Sequence, residues 1–271
     1  MSELALFGGK KIRNKEFARQ QDFGEEEKKL LLEVLESKEL SGFLGAFGDK
    51  FFGGKKVREL ESMFEEYYGI KHAIAIQSAT AGLHTAVAAL NVNPGDEIIV
   101  TPYSMCVSAT APVMHNAIPV FVDIDENTFC MNPDEIRKAI TPETKAIIVV
   151  HLFGYPADMD EIMKIAKEHN LMVIEDAAQA PGCKYKDKYV GTMGDIGVYS
   201  FNQNKTISTG EGGVVVTNDD ELAKRMELIR NHGEAVVEHY PVKSIGGIVG
   251  YNYRMTELED AVGIAQFRKL D

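Results

Sequence analysis

The sequence predicts an α/β protein built on a mostly parallel sheet, and three observations predict it. From residue 72 onward short β-branched runs alternate with amphipathic stretches, the runs are apolar almost throughout, and the last two stand too close together to hold a crossover helix. The first five runs are HAIAIQ at 72–77, EIIVTP at 97–102, PVFVDI at 119–124, AIIVVHLF at 146–153 and LMVIEDA at 171–177. Between them the patterns at 79–90, 106–116, 133–140 and 158–169 have helical spacing, which makes βα units around a parallel sheet. IGVYSFN at 196–202 and GGVVVTN at 212–218 follow with only a short loop between them, so one strand of the sheet runs antiparallel.

Upstream of the first strand, residues 24–37 read as a helix leading into SKELSGFLGAFGDKFFGG, where five glycines and four phenylalanines fall within 42–54. Two readings stand for that segment: a flexible surface loop, or a loop packed against a partner subunit or a substrate. Downstream, Asn218-Asp219-Asp220 starts a helix over about 219–231, and Thr256-Glu257-Leu258-Glu259 is a capping box that opens another. The second pattern is still amphipathic at Asp271, with no Gly or Pro to end it, and it reads as a helix cut short with more protein to follow.

With 271 residues the chain is long enough to bury a sizeable core, and 45% apolar with 26% charged residues is the balance of an ordinary globular protein. A formal net charge of −12 argues against nucleic acid and acidic membrane surfaces as general partners. Cys106, Cys130 and Cys183 are odd in number and widely spaced, which indicates neither a disulfide framework nor a zinc site and fits a reducing compartment. The leading MSELALFGGKK lacks the apolar segment of a secretory signal, and no run is long enough to span a bilayer, so the expected location is the cytoplasm.

Three places carry candidate chemistry. Glu175-Asp176-Ala177-Ala178-Gln179 ends a strand on the side where open α/β sheets bind ligands, although a lone strand-end Asp serves equally as a turn or cap residue. Lys205 lies among Ser200, Asn202 and Asn204 and is followed by Gly210, Gly212 and Gly213, so an amine sits among neutral hydrogen-bonding groups where the backbone can approach a ligand closely. Together with a strand-end Asp, that is the arrangement needed to hold an aldehyde cofactor as a Schiff base. Gln77-Ser78-Ala79-Thr80-Ala81-Gly82 passes from a strand into a helix whose free N–H groups make a seat for a monophosphate, with ordinary capping by Ser78 or Thr80 as the plain alternative. No Walker or dinucleotide-binding glycine motif accompanies it.

Several motifs in order, QSATAGLHTAVAAL (77–90), GDEIIVTPYS (95–104), PVFVDID (119–125), HLFGYPADMDEI (151–162), IEDAAQAPG (174–182), YSFNQNKTISTGEGGVVVTND (199–219), RNHG (230–233) and GYNYRMTELEDAVGIAQFRKLD (250–271), give the chain a family likeness. It resembles the DegT/DnrJ/EryC1/StrS group, fold-type I aminotransferases that depend on pyridoxal 5'-phosphate and act on keto sugars. The resemblance implies a three-layer α/β/α large domain. It also implies an N-terminal helix and Gly/Phe-rich active-site loop over 1–54, the cofactor domain over 55–250, and the start of a truncated small domain over 251–271. Lys205 matches the lysine that binds the cofactor aldehyde and moves the proton, and Asp176 the carboxylate that keeps the pyridine nitrogen protonated. Gln179 matches the residue near the ring hydroxyl, Ala79, Thr80 and Ser200 the phosphate positions, and Asn252 an asparagine that reaches the phosphate of the neighbouring subunit in a homodimer with shared active sites.

Two positions depart from the family pattern. Ala79 stands where a Gly is usual before the phosphate-seat Thr, and the loop after Thr101-Pro102 offers Met105 and Cys106, with Tyr103 nearby, where an aromatic commonly covers the cofactor ring. Lys205 separates the chain from the related branch that carries His there and performs deoxygenation. The wording resembles enzymes that aminate a nucleotide-linked 4-keto-6-deoxy sugar, as in perosamine synthesis, with an amino acid such as glutamate as donor. The alternatives are a cyclitol aminotransferase, another enzyme of the same cofactor and fold, or a cofactor-binding fragment without turnover. The histidines keep structural readings, since His84, His115, His151, His169, His232 and His239 show no ligand spacing.

Overall fold

Nine strands form among the described residues of the computed structural model, which are 3–16, 22–240, 242–246 and 248–270. They are β1 (His72–Ile76), β2 (Glu97–Val100), β3 (Ile118–Phe121), β4 (Thr144–Val150), β5 (Met172–Asp176), β6 (Lys184–Tyr185), β7 (Lys188–Tyr189), β8 (Ile196–Ser200) and β9 (Gly213–Thr217). Residues 1, 2, 17–21, 241, 247 and 271, which belong to the N-terminal segment, the 234–249 loop and the final helix pattern, lie outside the described set. Seven strands make one sheet in the order β1-β9-β8-β5-β4-β2-β3. The ladders from β3 through β2, β4 and β5 to β8 are parallel, and β9 runs antiparallel to both β8 and β1, so β9 is the reversed strand that the short 202–212 connection requires. β6 and β7 pair as a separate hairpin of two residues a side, too short to register as an apolar run.

The helices are α1 (Glu25–Ser37), α2 (Lys55–Tyr68), α3 (Ala79–Ala89), α4 (Val107–Met114), α5 (Pro133–Ala139), α6 (Met159–His169), α7 (Asp220–Arg230) and α8 (Glu257–Phe267). Strand side chains alternate between two faces. Ile74, Ile98, Ile148 and Val198 pack under α3, α4 and α7, whereas Ala75, Val214 and Tyr199 face α1, α2 and α8, and Ile99, Ile147 and Val173 face α5 and α6. The result is the expected three-layer α/β/α arrangement. Each fully buried Ile or Val side chain contributes about 1.5–3 kcal/mol, so the sheet edge that carries the site rests on a rigid base.

α2 is absent from the sequence reading, although Val57, Leu60, Phe64 and Tyr68 have helical spacing and are buried. Its start has no local cap. The Glu257 carboxylate, from the first turn of α8, accepts the N–H groups of Lys56 (2.9 Å) and Val57 (3.3 Å) instead. α8 differs in the other direction: it finishes at Phe267 rather than running out at the end of the sequence. The Lys269 and Leu270 N–H groups bond three residues back, while the Arg268 and Lys269 side chains turn to Glu26 (2.6 Å) and Glu27 (2.5 Å) on α1. Met255, Ala261, Ile264 and Phe267 share one core cluster with Ala177, Tyr199 and Val214, so residues 251–270 pack as part of the sheet-bearing body.

The Gly/Phe-rich stretch is pinned to its own chain. Phe43 and Phe51 are buried, and the fully buried Asn231 donates from Nδ2 to the carbonyls of Leu44 and Phe51, both at 2.9 Å. Leu44 and Phe47 remain exposed, with Phe47 stacked on His239. No described helix is long and apolar enough to cross a membrane.

Candidate active site

Parallel pairing puts the carboxyl ends of β2, β4, β5 and β8 on one edge of the sheet, and the N-terminus of α3 meets that edge. α3 gets there because it lies almost on the strands: a Cβ at Gly82 would stand 2.8 Å from Val198 Cγ1 and 3.0 Å from Val215 Cγ1. A Cβ at Gly213 would stand 2.5 Å from the Tyr199 carbonyl oxygen and 3.0 Å from the Ala79 nitrogen, so bare backbone is needed where β9 passes beneath the helix start. Ser78 caps α3, its Oγ accepting the Ala81 N–H at 3.1 Å. The N–H groups of Ala79 and Thr80 have no acceptor among the described residues, and with the positive end of the helix dipole they make an anion seat.

A cavity of about 210 Å³ opens beside this seat, lined by Ser78, Ala79, Thr80, Leu83, Ser104, Met105, Val107, Asp176, Ala178, Gln179, Ser200, Asn202, Asn204, Lys205 and Glu211. A second compartment of about 430 Å³ adjoins it, sharing Ala178, Gln179, Asn204 and Lys205 and adding Phe153, Pro181 and Thr206. Lys205 thus faces both.

Asp176 ends β5 and is buried. Its Oδ1 accepts the Ala178 N–H at 3.0 Å, and Oδ2 has no donor among the described residues. Burial pushes the carboxyl above the ordinary carboxylate range, with the Ala178 N–H, His151 and Lys205 acting in the opposite direction. A ligand N–H or cation at Oδ2 would favour the ionised form. The preceding Glu175 points to the other side and is fully buried. It accepts N–H groups from Gly191 (2.8 Å), Met193 (2.6 Å) and Gly194 (2.5 Å) and meets His151 Nε2 at 2.9 Å. Since His151 Nδ1 accepts the Ala157 N–H at 3.1 Å, Nε2 carries the proton donated to Glu175. Glu175 and His151 therefore tie β4, β5 and the 190–194 turn together behind Asp176, which satisfies the structural reading of His151.

The loop between β8 and β9 is folded by its own bonds. The Lys205 N–H donates to the Asn202 carbonyl (2.8 Å), Gln203 N–H to the Gly210 carbonyl (2.8 Å), and Asn202 Nδ2 to Glu211 Oε1 (3.0 Å). Ser200 Oγ accepts the Asn202 N–H at 3.3 Å, and Gln179 Oε1 accepts the Phe153 N–H at 3.0 Å.

Of the residues expected from sequence, Ala79, Thr80, Met105, Asp176, Gln179, Ser200 and Lys205 are brought together around the cavity. Cys106 is not in the lining, because it forms the cap position of α4 next to Met105. Asn252 is exposed and stands away from this chain's cavity, bridging to Asn231 and accepting from Arg254 Nε at 2.8 Å. Three residues went unread. Ser104 Oγ is buried without a partner among the described residues, and Ser104 lines the cavity. Glu211 adds a second carboxylate to a lining read from sequence as neutral around Lys205. Phe153 sits within HLFG with nothing local to mark it as a site residue. Chemically, the cavity suits a ligand with an anion at the α3 end, a protonated ring nitrogen against Asp176 Oδ2, and an electrophilic carbon for the amine.

Comparison with known proteins bears on this set. The model of the DegT/DnrJ/EryC1/StrS aminotransferase family matches residues 25–271. GDP-perosamine synthase of Caulobacter vibrioides is 45% identical over 218 residues, 80% of this chain and 58% of that protein. An X-ray structure of an aminotransferase from Psychrobacter cryohalolentis superposes with a TM-score of 0.82 at 39% identity, covering 94% of this chain and 64% of that one. The Escherichia coli GDP-4-keto-6-deoxy-D-mannose-3-dehydratase with bound hydrated PLP gives 0.81 at 31% identity, covering 92% and 66%. The chain spans 58% of the length of the first curated relatives it matches.

Proposed function

The chain belongs to the DegT/DnrJ/EryC1/StrS aminotransferase family, and from that premise we propose that its protein transfers an amino group from an amino acid, glutamate in the first instance, to a keto sugar. The acceptor class we assign is a nucleotide-linked 4-keto-6-deoxy sugar, supported by the likeness to GDP-perosamine synthase. One observation carries the reading: Lys205 and Asp176 line a single cavity that opens on the free N–H groups of α3. We place the protein in the cytoplasm as a homodimer, with Asn252 directed to the partner's cavity, and the cofactor domain over 55–250 with the loop 1–54 before it and 251–271 after it.

The residues present fit pyridoxal phosphate, as Asp176 Oδ2 and Ser104 Oγ both lack partners among the described residues in a cavity with an anion seat. When bound, that cofactor supplies an aldehyde for amines and a ring that withdraws electrons from the attached carbon. Ala79, Thr80 and Ser200 would hold the phosphate. Asp176 would hold a proton on the ring nitrogen, and the low-dielectric surroundings that raise its own pKa strengthen that ion pair once formed. Gln179 and Met105, both in the lining, would bear on the ring. Lys205 Nζ would supply the amine that holds the aldehyde and would be the group that takes up and returns the proton.

The test is borohydride reduction of the protein mixed with pyridoxal phosphate, followed by peptide mapping. The label is expected on Lys205, and Lys205→Ala is expected to lose the label and all transamination. Label on another lysine, or turnover in Lys205→Ala, refutes the assignment.

A further inference from the structure

Resting on the reading above, we propose that Phe153 is the face against which the sugar ring of the acceptor seats, and that Gln179 is the positioning residue that holds it there. The first observation is conformational. Phe153 adopts φ 55, ψ 22, a left-handed backbone that a Cβ disfavours by about 1 kcal/mol or more. Gly154 follows at φ +81, so two left-handed residues in succession throw the Phe153 ring outward from the end of β4.

The second is what maintains that turn. The Phe153 N–H is taken by Gln179 Oε1 at 3.0 Å, and Tyr155 N–H closes on the Leu152 carbonyl at 2.8 Å. Behind the turn, His151 is fixed by Glu175 and Ala157. The segment is therefore a bracket clamped at both ends, and its most exposed side chain is the Phe153 ring, 71% exposed against 55% for Tyr155.

The third is where the ring goes. It forms one wall of the outer compartment that Lys205 also lines, and Tyr103, 48% exposed, meets it edge-on at 6.3 Å. The same compartment is lined by Asn204 and Thr206, residues that carry amide and hydroxyl groups. A pyranose has that division: axial C–H groups on one face and hydroxyls at the rim. A compartment of about 430 Å³ beside the amine has room for such a ring. The amino-acid donor has no comparable apolar face, so Phe153 acts on one substrate and not on the other.

The experiment separates the half-reactions in the cofactor-loaded protein, with GDP-4-keto-6-deoxymannose and glutamate as probes. Phe153→Leu is expected to raise KM for the sugar about tenfold, leaving the rate of cofactor conversion by glutamate and the cofactor absorption unchanged. Phe153→Tyr, which keeps the ring face, is expected to stay within about twofold of the unsubstituted protein. Gln179→Met, which loses the acceptor for the Phe153 N–H, is expected to raise the same KM, and the Phe153→Leu/Gln179→Met double variant to be no worse than the poorer single one. An unchanged sugar KM in Phe153→Leu, or an equal fall in the glutamate half-reaction, overturns the inference while leaving the functional reading intact. Failure of the unsubstituted protein to aminate the sugar probe overturns that reading and this inference with it.

Discussion

Asp260→Asn should make the protein more stable as pH rises relative to the unsubstituted chain, and the size of the effect follows from burial. Asp260 lies in the first turns of α8 with both carboxylate oxygens buried and without a partner among the described residues. Burial and the neighbouring Glu61, Glu257 and Glu259 push its pKa far up, against a smaller opposing pull from Arg230. Glu61 accepts from Arg230 (2.6 Å) and from the Ala75 N–H (2.9 Å), and its pKa is raised to about 7. A carboxyl whose folded pKa exceeds its unfolded value binds more protons folded than unfolded, so its contribution to stability is full below the unfolded pKa and is lost as pH rises toward the folded one. Each proton so held costs about 1.4 kcal/mol per pH unit in that window. Asn cannot titrate, so as pH rises above the ordinary carboxylate range the stability difference between variant and parent should shift in the variant's favour, by about 1.4 kcal/mol per pH unit while Asp260 keeps its proton in the folded state. Any fixed cost of burying the amide cancels in that slope, and the lowered pKa values of His84 and His115 affect both proteins alike. Urea unfolding followed by circular dichroism across the pH series measures it. A flat or reversed difference would show that Asp260 is not protonated in the folded state and that the reasoning from burial fails.

Gly213→Ala should weaken pyridoxal phosphate binding by tenfold or more in an absorbance titration with the far-ultraviolet circular dichroism kept, because the added Cβ has to displace the start of α3; an unchanged Kd would show that the helix start is not held by this contact. Glu175→Gln should destabilise by at least about 3 kcal/mol in urea unfolding, since an amide cannot replace a carboxylate that accepts three backbone N–H groups and His151.

Much of the fold was legible because the central parallel strands β4, β5 and β8 are buried on both faces and helices such as α6 keep one buried and one exposed side. β1, β4, β5, β8 and β9 fall within the apolar runs, apart from a residue or two at their ends, and the reversal at β9 followed from loop length alone. The chemistry-bearing positions were legible for a different reason: Asp176, Lys205 and the α3 start each stand at a strand end, where side chains of that kind have no packing purpose. What stayed hidden depends on contacts between distant residues. α2 lacks a local start signal because its cap, Glu257, lies 201 residues from Lys56, and the apolar exposure of Phe153 cannot be told from a core phenylalanine without the Gln179 bond that turns it outward.

Three of the carboxylates packed inside the protein share one physical pattern. Glu175 accepts N–H groups from the turn at 190–194, Glu257 from the start of α2, and Glu61 from β1, so each takes backbone donors that no ladder or helix satisfies. A buried acid is costly unless hydrogen-bonded, and an orphaned N–H is costly too; placing them together removes both penalties and fixes segments that apolar packing would leave free to slide. Asp176 is the exception among the buried acids near the sheet edge, with one oxygen bonded and the other directed to no protein donor. Asp260, with neither oxygen bonded among the described residues, stands outside this pattern and outside the cavity lining, so it is the half-bonded state of Asp176 together with its place beside Lys205 and the α3 start that marks the cavity as a site.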